Sequence, residues 1–522
     1  MMVELTFKRV VVVLGALLAL MTTASGECVA LWPVGKMPYQ AENQTTVPTV
    51  EWFEPQGAAP RHELILYVPG GGYEMIGGRW SREHVCRHYA RRGYHTAFLT
   101  YRTPRPKGME IYRTGWVDGQ RAIRLIRNEA AKRGYDSERI GVIGTSAGAH
   151  LAMLLATSSQ TPAYEPVDEV DSVPAHVNWA APLFCAYALD DGLSGANAKK
   201  CRGAHLTKAF RFDARTPPTC LFHGGADVHS PLGSVAIYRK LHEMGIPAEL
   251  HLLADRPHDF QVRAEPGTPS ATWSDRLDEF LFTLRAGKPH PVLDDLSLRV
   301  FPDATVRTEK VPLRPASGDG AYLVWYVPER KTTDAIHLIV PGGGYALVDF
   351  NREGQLAAYD ANRRGMTAVV LKYRPDRTLA LADLKLAGEM VRKGAAARDL
   401  DPGRVGLMGF SAGAHLALRA ATASDGFRPA WVVAVYPAYL PDKDIAFTAE
   451  TPPVCFLHGD RDTYSPLGSV DSWERLHDLG VQCELHTFAT CGHDFHITAA
   501  KGTGARTMFD RVWEFLVQKK FR

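Results

Sequence analysis

Short apolar runs, each cut off by glycine or proline, alternate along this chain with longer stretches whose apolar residues recur at helical spacing. Glu63-Leu-Ile-Leu-Tyr-Val68 stops at Pro69-Gly70-Gly71-Gly72-Tyr73, and Ala335-Ile-His-Leu-Ile-Val340 stops at Pro341-Gly342-Gly343-Gly344-Tyr345. Runs this short, without polar alternation, read as strands buried on both faces. A helix ending at Arg-Arg-Gly (Gly93 and Gly365) then leads into a further strand, residues 96–101 and 367–373. Next come a helix opening at Asp118 or Asp383, the apolar runs 139–143 and 404–408, and, at the far end of each half, amphipathic helices over 272–285 and 508–517. Strands alternating with helices at this spacing predict an α/β fold with a mostly parallel sheet and helices on both faces.

The pattern is written twice. Tyr73 and Tyr345 stand 272 positions apart, as do Gly93 and Gly365, and further on Asp227 and Asp462, like His258 and His493, stand 235 apart. At 522 residues the chain is too long for one ordinary core, so the repeat predicts two tandem domains, 27–288 and 298–522, joined by a polar linker at 289–297.

Ahead of them, Lys8 and Arg9 precede an apolar run at 10–20 and the small residues Ala24 and Gly26. This run is shorter than the ~20 residues a membrane span needs. Residues 1–26 therefore read as a cleaved secretory signal, which predicts an exported protein, periplasmic or secreted, with no stable membrane span afterwards. Export permits disulfides. Cys185 with Cys201 and Cys483 with Cys491 are local pairs that spacing leaves open, whereas Cys220 and Cys455, inside equivalent apolar runs, read as buried free thiols. A net charge of +3 without basic blocks gives no nucleic acid or anionic membrane as partner. No metal or phosphate motif is present in the sequence, so no cofactor is expected; oligomeric state is left open.

The chemistry lies where the last central run of each half turns into a helix: Gly144-Thr-Ser146-Ala-Gly148 and Gly409-Phe-Ser411-Ala-Gly413. G-x-S-x-G between a strand and a helix is the signature of a nucleophile elbow, in which a sharp turn exposes the serine hydroxyl. A serine needs a base to take its proton, and a histidine oriented by a carboxylate is the usual one. In chain order the candidates are Ser146, Asp227, His258 and Ser411, Asp462, His493. His150 and His415, one helical turn past each serine, read as structural, and His223 and His458, ending a buried strand, as satisfying core backbone groups. Asp259 and Asp494 adjoin the histidines in sequence, where a carboxylate rarely meets its neighbour's ring. The Gly-Gly-Gly loops after the first central strand would supply backbone donors to an oxyanion. From serine to aspartate the first half carries 30 residues more than the second, which predicts an insertion near the substrate entrance, largely within 186–214.

With these motifs both halves resemble the α/β-hydrolase esterases of the hormone-sensitive-lipase, acetylxylan and feruloyl esterase type. The resemblance rests on Leu31-Trp-Pro33, the two Pro-Gly-Gly-Gly-Tyr loops, Tyr101-Arg102 and Leu371-Lys-Tyr-Arg374, both elbows, and Gly492-His-Asp-Phe495. It implies an oxyanion hole of Gly71, Gly72 and Ala147 in the first half and of Gly343, Gly344 and Ala412 in the second. The first half departs from the pattern at Trp80-Ser-Arg82, where the second has Arg352-Glu-Gly354, and at Pro257 before His258. The implied activity is hydrolysis of acetyl or related acyl esters on plant polysaccharide such as xylan, through a serine acyl-enzyme. Two other readings stay open at this stage: a prolyl-oligopeptidase-like serine peptidase, and a carbohydrate-binding protein with an inactive hydrolase domain.

Overall fold

The computed structural model describes residues 27–56, 60–77, 79–190, 205–254, 256–260, 272–286, 307–315, 320–498 and 503–519. The signal at 1–26, the linker at 289–297 and Cys201 lie outside them. By contacts the chain divides into two compact units, residues 1–194 with 205–219, and residues 195–204 with 220–522.

In the first unit six strands, β1 (Cys28–Ala30), β2 (Thr49–Phe53), β3 (Leu64–Val68), β4 (His95–Thr100), β5 (Ile140–Thr145) and β6 (Trp179–Leu183), lie in the order β1-β2-β4-β3-β5-β6. Parallel pairing joins β4, β3, β5 and β6, and every residue of β3, β5 and β6 is buried. Such strands need cover on both faces, and the helices α1 (Arg79–Arg91), α2 (Arg113–Arg133) and α3 (Ala147–Thr157) connect them. Helix α2 begins five residues before Asp118, whose carboxylate is buried on the inward face, bound by Arg102 and by Trp32 Nε1 at 2.8 Å. It is a core ion pair at the exit of β4 rather than a helix start.

The second unit holds β7 (Thr219–Gly224, from Cys220), β8 (Ala248–Leu253), β9 (Arg307–Pro312), β10 (Tyr322–Val327), β11 (Ile336–Val340), β12 (Thr367–Lys372), β13 (Val405–Phe410), β14 (Val432–Val435), β15 (Val454–Gly459) and β16 (Cys483–Phe488). Their order is β7-β8-β16-β15-β14-β13-β11-β12-β10-β9. The helices are α4 (Leu232–Glu243), α5 (Trp273–Ala286), α6 (Leu356–Arg363), α7 (Arg377–Ala395), α8 (Ala412–Thr422), α9 (Leu467–Asp478), α10 (Phe495–Thr498) and α11 (Met508–Gln518). Here too the helix expected at Asp383 starts earlier: Asp376 caps it, accepting from the amides of Thr378 and Leu379. Asp383 instead holds Arg374 and Arg314.

The last two strands of the first repeat fall in this unit because β8 pairs antiparallel with β16, Leu252 opposite Leu485 and His251 opposite His486. Arg276 on α5 meets Glu514 on α11, and Arg511 on α11 meets Glu279 on α5. Both members of each pair shift by 235 positions, so residue i touches j and j touches i, as at a two-fold interface between identical subunits.

Cys483 and Cys491 form no disulfide. Both are buried and outside any disulfide, because Cys483 opens β16 and Cys491 lies past its far end, and a six-residue strand rises about 17 Å, beyond the roughly 7 Å limit of a disulfide. Cys185 is free, and Cys220 and Cys455 are buried and free as their apolar settings predict.

Candidate active site

Both elbows form. Ser411 joins β13 to α8 at φ 50°, ψ −120°, and Ser146 joins β5 to α3 at φ 57°, ψ −121°. A residue other than glycine held at positive φ is strained and is retained where the turn is needed. The flanking glycines are required by space: a Cβ on Gly409 would lie 2.4 Å from the Gly413 carbonyl oxygen, and one on Gly413 2.0 Å from that of Val340.

In the second half the three candidates meet. Ser411 Oγ lies 2.8 Å from His493 Nε2, and His493 Nδ1 lies 2.8 and 3.0 Å from the two oxygens of Asp462. The carboxylate takes the Nδ1 proton, so Nε2 presents a lone pair to the serine hydroxyl, the arrangement a general base requires. Burial works to raise the Asp462 carboxyl, but hydrogen bonds from His458 and His493 outweigh it and hold the group at about 2. Burial works to lower His493, yet the Asp462 hydrogen bond and charge, with Asp494 and Glu353 behind them, raise it above its ordinary 6.5. The Tyr464 amide adds a further bond to Asp462 at 2.8 Å.

His458 thus does more than serve the core. Its Nδ1 meets Ser469 Oγ and its Nε2 the Tyr464 carbonyl, and Nε2 also lies 3.3 Å from Asp462. The strand-end position that marked it as structural is what puts it under the aspartate. In the first repeat His258 Nδ1 lies 2.8 and 2.9 Å from Asp227, with His223 3.4 Å from the same carboxylate. These residues belong to the second unit and Ser146 to the first.

The glycine loops take up the backbone that the oxyanion reading needs. Gly71 and Gly72 have φ 124° and 64°, Gly343 and Gly344 119° and 65°, while Ala147 and Ala412 are the first residues of α3 and α8. Positive φ turns successive N–H groups toward one side, where they make an anion-binding concavity. The two loops are held differently. Gly70 donates its N–H to Thr145 Oγ1 at 3.1 Å, whereas Gly342 donates to Glu353 Oε2 at 2.5 Å. Glu353 is buried, and its other oxygen accepts from Tyr436 Oη at 3.0 Å; the Tyr436 ring lies 4.6 Å from that of His493. Neither Glu353 nor Tyr436 was a candidate. Their signal in the sequence is the swap of position 145/410 from threonine to phenylalanine, matched by serine to glutamate at 81/353.

His150 and His415 face the tyrosines of the glycine loops, His150 Nδ1 at 2.8 Å from Tyr73 Oη and His415 Nδ1 at 2.7 Å from Tyr345 Oη; His415 Nε2 also meets Asp442 at 2.6 Å. Asp494 pairs with Arg352, and it is Asp462 that meets the His493 ring. The neck of the first-half insertion is a bridge between Leu189 and Leu206, and Phe210 beyond it stacks 5.1 Å from His150. Among the described residues no helix is long and apolar enough to cross a membrane.

Comparison with known proteins places hydrolases on both repeats. The BD-FAE family model matches residues 50–183, and the dienelactone hydrolase family model matches residues 351–518. An acetylxylan esterase of Xylanibacter ruminicola is 27% identical over 215 residues, 34% of this chain and 45% of the relative. Endo-1,4-beta-xylanase B of Butyrivibrio fibrisolvens is 40% identical over 86 residues, 15% of this chain and 13% of the relative. The chain thus spans less than half the length of these curated relatives. Among solved structures, the acetyl ester-xyloside bifunctional hydrolase of Caldicellulosiruptor lactoaceticus aligns at 22% identity and a TM-score of 0.43, over 50% of this chain and 97% of that one. With a hydrolase model on each half and elbows at the end of both central strands, the chain carries two α/β-hydrolase domains in tandem, similar to esterases of this fold.

Proposed function

We propose that this is an exported serine carboxylesterase that removes acetyl or related acyl groups from plant polysaccharide such as xylan. Ser411, His493 and Asp462 act in the second half, and Ser146, His258 and Asp227 in the first. The observation that carries the reading is the unbroken line from Ser411 Oγ through His493 to Asp462, with contacts of 2.8 Å on both sides of the ring. Ser411 Oγ attacks the ester carbonyl as His493 Nε2 takes its proton. The amides of Gly343, Gly344 and Ala412 receive the oxyanion, and those of Gly71, Gly72 and Ala147 do so in the first half. His493, now cationic against Asp462, returns its proton to the departing sugar oxygen. Water, activated by the same ring, then releases the acid and restores Ser411.

The sugar side of the reading is supported by the names of the relatives and by aromatic surface at the site. The Tyr464 ring lies tilted 5.2 Å from that of His493, and Tyr439 lies edge-on 5.5 Å from Tyr464; both are half-buried, which puts aromatic surface beside the base. Export is supported by the charged and apolar pattern of residues 8–26.

The test is acetate release from acetylated xylan by wild type, Ser146→Ala, Ser411→Ala and the double variant. Partial activity in each single variant and none in the double is the expected result. A double variant that hydrolyses p-nitrophenyl acetate like wild type refutes the serine mechanism. Cleavage of simple esters with no release from xylan refutes the polysaccharide substrate alone.

A further inference from the structure

The paired strands β8 and β16 carry a line of buried titratable groups that the ester chemistry does not use. Glu249 and His251 project from one face of β8, and Glu484 and His486 from the equivalent face of β16; all four are at most 1% exposed. His251 Nδ1 lies 3.1 Å from His486 Nδ1. At the outer ends, His251 Nε2 lies 3.1 Å from Glu249 Oε2, and His486 Nε2 3.3 Å from Glu484 Oε2.

One of the glutamates also reaches across the strand pair: Glu249 Oε1 accepts the N–H of Ala489 at 3.1 Å. Ala489 is the residue after β16 and stands four positions before His493. The first repeat's carboxyl therefore ties down the strand end from which the second repeat's histidine loop departs. The loop before His493 is constrained, since Thr490 sits at φ 61°.

Three hydrogen bonds in a row need three protons, and two neutral imidazoles bring two. Burial supplies a holder for the third by raising Glu249 to about 8 and Glu484 to about 7. With the proton on Glu249, Oε2–H donates to His251 and Oε1 is left as a carbonyl for Ala489. The charged and titratable groups around the line include Arg276 and Arg511, paired with Glu514 and Glu279, together with Lys519, Asp460, Tyr238, Cys220, Cys455 and Cys491. Cys220 and Cys455 complete two clusters of metal-ligand type with donor atoms within 4.8 Å. In both, the imidazole nitrogens are already engaged, and the two guanidiniums oppose further positive charge on the rings.

Resting on the esterase reading above, we propose that the tandem repeat braces its second site: Glu249 of the first repeat is a positioning residue for His493. The His493 loop then keeps its catalytic register only while the first repeat is folded against it. Duplication in one chain guarantees a partner that separate subunits would have to find by association.

The experiment uses the full chain with one serine removed, so that each site is read alone. Ser146→Ala must hydrolyse p-nitrophenyl acetate and lose that activity when Ser411→Ala is added; failure there overturns the esterase reading and not the brace. In the Ser146→Ala background, Glu249→Leu strips the Ala489 amide of its acceptor. It is expected to lower kcat at Ser411 on the order of tenfold, with KM within twofold, as a small misplacement of a catalytic base does, and to slow fluorophosphonate labelling of Ser411 in parallel. Glu249→Gln, which keeps the carbonyl for Ala489 and a donor for His251, restores kcat to within twofold of the parent. A folded Glu249→Leu protein with the parent's kcat overturns the proposal, and so does a Gln variant that falls as far as Leu. Should Leu not fold, Glu249→Asp, which withdraws the same carboxyl by one methylene, carries the same expectation with a smaller loss.

Discussion

Replacing Glu353 by leucine isolates what holds the second oxyanion loop. The side chain has two duties, accepting the Gly342 N–H through Oε2 and the Tyr436 hydroxyl through Oε1. Tyr436 has a second partner in His496 Nδ1 at 2.9 Å and can turn to it; the Gly342 amide is buried and loses its acceptor. An unmet buried donor costs about 1–3 kcal/mol, and leucine fills much of the vacated volume, so the cavity cost is small. The loop escapes that cost only by rotating the Gly342 peptide, and Gly343 and Gly344 rotate with it. If the whole cost appears as lost transition-state binding, kcat falls about 5- to 150-fold. The assay is steady-state hydrolysis of p-nitrophenyl acetate in the Ser146→Ala background, with fluorophosphonate labelling of Ser411 as a check on the nucleophile. Glu353→Gln keeps one carbonyl acceptor and is expected within a few-fold of the parent. In the other half the equivalent amide bonds to Thr145 Oγ1, so Thr145→Val in a Ser411→Ala background reproduces the loss. A folded Glu353→Leu protein with unchanged kcat refutes the claim that this amide sets the loop.

Asp462→Asn keeps the shape of the site but offers Nδ1 the wrong tautomer, and kcat at Ser411 is expected to fall on the order of 10³- to 10⁴-fold; a loss under tenfold contradicts the assigned role. His493 is raised above 6.5 and works only when neutral, so activity of the Ser146→Ala protein falls as pH drops through a midpoint above 6.5, and a kcat/KM profile with its acid limb below 6.5 contradicts this. Gly413→Ala puts a Cβ 2.0 Å from the Val340 carbonyl oxygen and is expected to destabilise by about 2–3 kcal/mol, read by urea unfolding; a change under 0.5 kcal/mol shows that the elbow can relax. With Cys483 and Cys491 outside any disulfide, alkylation of the unfolded, unreduced protein is expected to label both, and a mass-linked peptide pair contradicts the structure.

The central strands and both elbows were legible because burial on two faces leaves a strand no polar alternation, and because a glycine pinned against a carbonyl oxygen, as at Gly413, tolerates nothing else. Strands β9 and β10 were not expected: β9 reads Arg-Thr-Glu-Lys-Val-Pro and is almost wholly exposed, so no apolar pattern marks it. The starts of α2 and α7 were misplaced because Asp118 and Asp383 resemble caps while their carboxylates are spent on Arg102 and Arg374. Of the candidate site, Ser411, Asp462 and His493, which the structure brings together, were legible because chemistry limits the residue types that can serve, and chain order did the rest. Glu353 and Thr145 did not, since what they share is an acceptor for one amide, supplied from unrelated positions in the two repeats. The same holds for Glu249. Glu-Leu-His is written in both copies, but a line along one strand cannot disclose that its carboxyl closes a hydrogen bond on the other copy's strand 240 positions away. Duplication preserves such a residue for a contact that neither copy contains by itself, and an invariant feature of an internal repeat is therefore as much a statement about the interface between copies as about the fold of each.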